Sequence, residues 1–148
     1  MARHISIYAD GICEPNPGHG CWAWLAKLDG EIVARDFGYI GPRSTNNVAE
    51  YYGVGFALKW VKEQPEEFIV DFYSDSKLVI NQIGGDWACN KEELRKLRDR
   101  CRELLKGLSI NIRWIAGASN PADELTREAY RKHVGKEPPK RHYKGGGK

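Results

Sequence analysis

The 148-residue chain has no apolar run approaching 18 residues, so no segment reads as a transmembrane helix. Its first ten residues, MARHISIYAD, hold no apolar leader block. The expectation on that ground is a complete chain working in the cytoplasm. No internal repeat is present, which argues against a solenoid. Cysteine is sparse: Cys13, Cys21, Cys89 and Cys101, with no C-x-x-C pair. A disulfide framework needs a secretory setting that nothing here supports. A zinc site built from Cys13, His19 and Cys21 would match no common ligand spacing, so reduced, packed thiols are expected.

What is present suits one domain. The apolar fraction is 41%, enough for a core at this length. Charge is uneven. Residues 1–130 carry 16 Lys and Arg against 19 Asp and Glu, a net of −3, whereas residues 131–148 carry seven cations and Glu137, a net of +6. From about residue 134 the chain is Lys, Pro, Gly and His with almost no apolar content. A catalytic domain over 1–133 and a basic, disordered tail over 134–148 are the expectation. Such a tail attracts polyanions, nucleic acid above all, although a merely solvated terminus has the same composition.

Alternation in His4–Ala9 predicts a strand running into Asp10-Gly11, followed by a Pro/Gly-rich turn over 11–18. Strands are predicted over 20–28 and 31–40, joined at the Asp29-Gly30 hairpin signal. Asn46 or Asn47 is expected to cap a helix ending near Gln64, before Pro65. A strand over 68–74 and a helix over 76–83 follow. Asn90 and Glu93 form a capping-box pattern ahead of an amphipathic helix. A strand over 110–115 comes next, and Pro121 is placed to open a last helix ending before Gly135. This order implies an α/β domain: one five-stranded mixed sheet with helices on both faces.

Four acids stand at four of these junctions: Asp10, Glu50, Asp75 and Asp123. Each has an ordinary structural explanation. Asp10 suits a turn, Glu50 completes a capping box with Asn47, Asp75 caps a helix, and Asp123 complements a helix dipole. Capping does not explain why all four gather at one end of a sheet. Clustered carboxylates repel and call for cations, and a pair of divalent metals is the usual solution. A four-carboxylate, two-metal site is suited to in-line phosphodiester hydrolysis.

The settings of the acids carry a resemblance. Asp10-Gly11 with Asn16-Pro17-Gly18, Thr45-Asn46-Asn47 with Glu50, Asp75-Ser76, and Asn120-Pro121-Ala122-Asp123-Glu124-Leu125 occur in order across residues 3 to about 132. In these motifs the sequence resembles the type 1 ribonucleases H. The resemblance implies a ribonuclease H-like fold and a metal-dependent endonuclease. The reaction would cut the RNA strand of RNA/DNA hybrids, leaving 5′-phosphate and 3′-hydroxyl ends.

It further implies two Mg²⁺ ions, with Mn²⁺ as a substitute, held by Asp10, Glu50, Asp75 and Asp123. Asp10 would bridge both ions, Glu50 and Asp75 would hold the one on the leaving-group side, and Asp123 the one that activates water. Substrate would be read by Gly11, Cys13, Asn16, Asn46 and Asn47 through 2′-hydroxyls in the minor groove. Asn16 and Thr45 would help hold a DNA phosphate, and Lys77 would touch phosphate or groove.

Two departures from the family pattern stand out. The segment 83–94 lacks a long basic protrusion, for which Trp87, Lys91, Arg95, Lys96 and Arg98 are partial substitutes, although a basic helix face is as often simply solvated. The loop 116–120 holds no His, and His133 lies too far along its helix from Asp123 to replace one. A monomer with no obligate protein partner is expected. Double-stranded RNA is a second candidate substrate. A non-catalytic nucleic-acid-binding module is the alternative of another class. The intact acid set opposes it, since a binder gains nothing from carboxylates facing phosphates.

Overall fold

The computed structural model describes residues 2–141. The last seven residues of the predicted tail lie outside them. The elements run β1 (Arg3–Glu14), β2 (Gly18–Leu28), β3 (Glu31–Ser44), α1 (Asn46–Glu63), β4 (Phe68–Ser74), α2 (Lys77–Gly84), α3 (Glu92–Leu105), β5 (Ser109–Trp114), a 3₁₀ turn (Gly117–Ser119) and α4 (Asp123–Val134). The strands form one sheet in the order β3-β2-β1-β4-β5. β1, β2 and β3 pair antiparallel, and β1–β4 and β4–β5 pair parallel. This is the expected five-stranded mixed sheet.

Strand alternation sends β2 side chains to two cores. Trp22 and Trp24 join Ile5, Ile7, Val54, Leu58, Phe72 and Val79 in the large core under α1, α2 and α3. Ala23 and Leu25 face the other way, against Leu125 of α4, and Cys21 packs beside Ala129 and Tyr130. Helices therefore cover both faces. All four cysteines are free and buried, as the composition suggested.

One difference from the predicted elements decides the site. β1 does not stop before Asp10. It continues to Glu14 because β2 goes on pairing with it through Cys13↔Gly20 and Glu14↔His19. Pairing with β4 ends at Ala9↔Ser74. Asp10 is therefore the first β1 residue beyond the parallel ladder, where the sheet is open on the β4 side. α1 crosses β1 closely at this point. A Cβ on Gly11 would come within 2.4 Å of the Ala49 carbonyl carbon and the Glu50 nitrogen. Only glycine permits that approach.

The helix starts also differ. Thr45, not an asparagine, caps α1: its Oγ1 accepts from the Val48 amide at 3.2 Å. Ser76 caps α2, accepting from the Val79 amide at 3.2 Å. α3 begins after Lys91 with no side-chain cap, so the Asn90–Glu93 pattern is not used. α4 begins at Asp123, its cap position being Ala122, because Pro121 is taken up in the preceding turn.

Candidate active site

The capping assignments remove two of the ordinary explanations for the acids. Asp75 does not cap α2 because Ser76 does, and Glu50 takes part in no capping box because Thr45 is the cap. What remains is convergence. Oxygens of Asp10, Glu50 and Asp75 lie within 4.8 Å of one another. They come from β1 where its parallel partner ends, from the second turn of α1, and from the junction after β4. Asp10 is fully buried and Asp75 nearly so. Among the described residues, Glu50 Oε1 and Asp75 Oδ2 are buried with no hydrogen-bond partner.

Such a cluster is electrostatically costly without a cation. Burial, then the neighbouring Asp75 and Asp10 charges, push the Glu50 carboxyl well above its ordinary range. Burial raises Asp10 from 3.8 to about 7, with Arg141 opposing and Asp75 and Asp123 adding to the rise. The donor set consists of hard carboxylate oxygens, two of them orphaned. It fits a small divalent cation that takes oxygen ligands and keeps part of its water shell.

Asp123 enters differently. Among the described residues the close triangle is Asp10, Glu50 and Asp75, and Asp123 is joined to Asp10 through a cation. Arg141 Nη1 lies 2.8 Å from Asp123 Oδ1 and 3.0 Å from Asp10 Oδ2, and Nη2 donates to the Gly11 carbonyl at 2.7 Å. The basic segment that composition alone would leave in solvent thus turns back in its described part. Gly135 ends α4 in a left-handed conformation (φ 86°). Arg127 then donates to the carbonyls of Pro138 and Pro139 at 3.1 and 3.3 Å, and Arg131 pairs with Glu137 at 3.1 Å.

Several supporting contacts escaped the sequence reading, although Asn120 and Lys77 were named in it. Thr126 Oγ1 donates to Asp10 Oδ2 at 2.9 Å, and it also lies 2.7 Å from the Asp123 carbonyl. Its place one helical turn after Asp123 was an available signal. Asn120 donates through Nδ2 to the Ala9 carbonyl at 2.9 Å and accepts the Ala122 amide at 3.0 Å, tying the start of α4 to β1. Trp114 Nε1 donates to the Asp75 carbonyl at 3.2 Å, and Lys77 Nζ sits 4.8 Å from the centre of the Trp114 ring. Nothing local in the sequence announces Arg141, which meets Asp10 across 131 positions.

A cleft of about 490 Å³ opens onto the cluster, lined by Glu50 and Asp75 together with Gly11, Asn46, Asn47, Lys77, Lys140 and Arg141. Four expected substrate contacts therefore flank the acids. Asn16 stands behind them: its Oδ1 accepts the Asn46 amide at 3.1 Å, bracing the start of α1. Thr45 lines a separate recess with Arg43, Ser44 and Glu93. The Cys13 side chain is buried, with Sγ 3.3 Å from the Pro15 carbonyl, so only its main chain can serve a ligand. Trp87 is 46% exposed and stands outside the cleft lining. His133 stacks on Tyr39, with ring centres 5.5 Å apart, and so is engaged away from the acids.

Comparison with known proteins gives consistent matches. The family model described as RNase H matches residues 2–131. A ribonuclease HI of Halobacterium salinarum is 39% identical over 128 residues, covering 84% of this chain and 63% of that protein. The chain thus spans less than two thirds of that relative. Among solved structures, the N-terminal RNase H domain of a Mycobacterium tuberculosis protein superposes with a TM-score of 0.83 at 30% identity, covering 90% of this chain and 98% of that one. LC11-RNase H1, solved in complex with an RNA/DNA hybrid, gives 0.78 at 27% identity, covering 88% and 99%.

Proposed function

The chain belongs to the ribonuclease H family, and from that premise we propose that it hydrolyses the RNA strand of RNA/DNA hybrids to 5′-phosphate and 3′-hydroxyl products, with residues 1–133 as the catalytic unit. The observation that carries this reading is the Asp10–Glu50–Asp75 triangle, with two orphaned buried oxygens, at the floor of an open cleft. A solved relative bound to a hybrid supports the choice of substrate.

Asp10, Glu50, Asp75 and Asp123 would hold two Mg²⁺ ions, or Mn²⁺ in their place. When bound, these supply a water of lowered pKa and charge stabilisation at the departing oxygen. The remaining roles fall to the chain itself. Asp10 is held by the Thr126 hydroxyl at Oδ2, and its Oδ1 is reached by Arg141 at 3.3 Å. Trp114 anchors the main chain at Asp75, and Asn120 fixes the turn that presents Asp123. The amides of Asn46 and Asn47 and the main chain of Gly11 line the wall beside the acids, where they suit the 2′-hydroxyls that distinguish RNA from DNA. Lys77, placed over the Trp114 ring, offers a cation to the phosphate backbone.

Four free, buried thiols suit a reducing compartment such as the cytoplasm. Among the described residues no helix is long and apolar enough to cross a membrane. The test is cleavage of one labelled duplex series (hybrid, double-stranded RNA and double-stranded DNA) with Mg²⁺ and with chelator. Metal-dependent cutting of the hybrid RNA strand is expected. Cutting of duplex RNA at a comparable rate would widen the substrate class. Binding of the hybrid without cleavage would overturn the catalytic reading.

A further inference from the structure

The acidic cluster already holds a cation, and it belongs to the protein. Arg141 has a side chain only 17% exposed, and its guanidinium spans Asp10 and Asp123 at 3.0 and 2.8 Å while donating to the Gly11 carbonyl. It also reaches Asp10 Oδ1 at 3.3 Å, so within the triangle the unpartnered oxygens are those of Glu50 and Asp75. The triangle Asp10–Glu50–Asp75 keeps oxygens without hydrogen-bond donors among the described residues, whereas Asp10 and Asp123 are joined by the guanidinium.

The segment that delivers Arg141 is built to stay. α4 ends at Gly135, and Glu137 pairs with Arg127 and Arg131, both at 3.1 Å. Pro138 is buried and, with Pro139, gives its carbonyl to Arg127. Two consecutive prolines restrict the chain just before Lys140 and Arg141, which lowers the entropy cost of docking.

We propose that Arg141 is a built-in competitor for divalent metal, occupying the Asp10–Asp123 half of the site and leaving the Asp10–Glu50–Asp75 half to fill first. The proposal rests on the catalytic reading above. In this arrangement the two halves bind unequally. The first ion enters with the strap in place. The second must displace a guanidinium that contacts both Asp10 oxygens and Asp123 Oδ1 and donates a hydrogen bond to the Gly11 carbonyl. Because Gly11 lines the substrate wall, the same displacement uncovers that wall. Metal and hybrid would therefore release the strap together, each making the other's binding easier through the shared step.

Isothermal titration of Mn²⁺ into the metal-free full chain tests this, using wild type, Arg141→Gln, Arg141→Ala and Lys140→Gln. Wild type should show a tighter and a weaker phase. Both Arg141 variants should tighten the weaker phase about tenfold and leave the tighter one within about twofold. Lys140→Gln, which removes the same charge one residue away, should leave both phases within about twofold of wild type. Thermal melts should place the Arg141 variants below wild type in chelator and level with it at saturating Mn²⁺.

Isotherms of both Arg141 variants that overlay wild type would overturn the proposal. So would an equal shift from Lys140→Gln, which would mean general charge rather than a seated guanidinium. A melting difference that persists at saturating metal would make Arg141 a structural tie only, and would also overturn it. Metal-dependent hybrid cleavage by wild type, measured alongside, separates the two readings. If wild type cuts while the isotherms coincide, only the strap proposal falls. If wild type neither binds Mn²⁺ nor cuts, both fall.

Discussion

Replacing Glu50 by glutamine should make the metal-free protein more stable while destroying its activity. Glu50 Oε1 is buried without a partner among the described residues, and burial and two neighbouring carboxylates push the group well above its ordinary range. Glutamine keeps the shape and holds at every pH the uncharged state that burial and the neighbouring carboxylates favour. Its amide also supplies donors next to Asp75 Oδ2, the other orphaned acceptor. An unpaired buried acceptor costs about 1–3 kcal/mol, and a hydrogen bond to a charged group contributes about 1.5–3 kcal/mol. Allowing for imperfect geometry, a gain of about 2 kcal/mol is expected in chelator. At roughly 2–4 °C per kcal/mol for a chain of this size, the melting temperature should rise by about 4–8 °C. In saturating Mg²⁺ the order should reverse, because wild type gains binding energy that the amide forfeits. Hybrid cleavage should fall about a hundredfold or more, equivalent to about 3 kcal/mol of barrier. Scanning calorimetry with and without metal, paired with single-turnover cleavage, gives both readouts. A variant that melts below wild type in chelator would refute the claim that Glu50 is strained by its neighbours. Wild-type cleavage by the folded variant would refute its place at the metal.

Asp10→Asn should likewise abolish cleavage, by about a hundredfold or more in a single-turnover assay. It should also remove a pH dependence. The folded Asp10 carboxyl sits at about 7 against an ordinary 3.8, so folding favours its protonated form. Its contribution to metal-free stability is therefore full below 3.8 and lost as pH rises to about 7. The difference in melting temperature between wild type and Asp10→Asn should follow that window, and a flat difference would contradict it. Gly11→Ala should cost at least about 2 kcal/mol in urea unfolding, because the new methyl meets α1 backbone that cannot swing aside. Replacing the 2′-hydroxyls next to the scissile bond by hydrogen should block cutting at that bond in a mapped cleavage assay. Undiminished cutting there would remove Asn46, Asn47 and Gly11 from substrate reading.

Much of this protein was legible in its sequence. Strand and helix periods gave the element order, since a period of 2 or 3.6 follows from local backbone geometry. The ordered motifs around Asp10, Glu50, Asp75 and Asp123 gave the family, because each acid is fixed by a short local setting. Other features depended on pairing between distant segments. Whether β1 ends at Asp10 depends on how far β2 and β4 run beside it, and the two neighbours stop at different places. Local patterning contains neither end point. The caps at Thr45 and Ser76 won over Asn47, Glu50 and Asp75 because the acids point into a cluster that only the folded sheet creates. The terminal segment shows the limit most clearly. Its composition reads as solvated, since charge and proline cannot build a core. Yet Arg141 finds its counter-charges on Asp10 and Asp123, residues distant in sequence that only the folded chain brings together. Sequence singled out the four acids. Tertiary structure decided which of them share an open triangle, and which pair is already bridged by the protein's own cation.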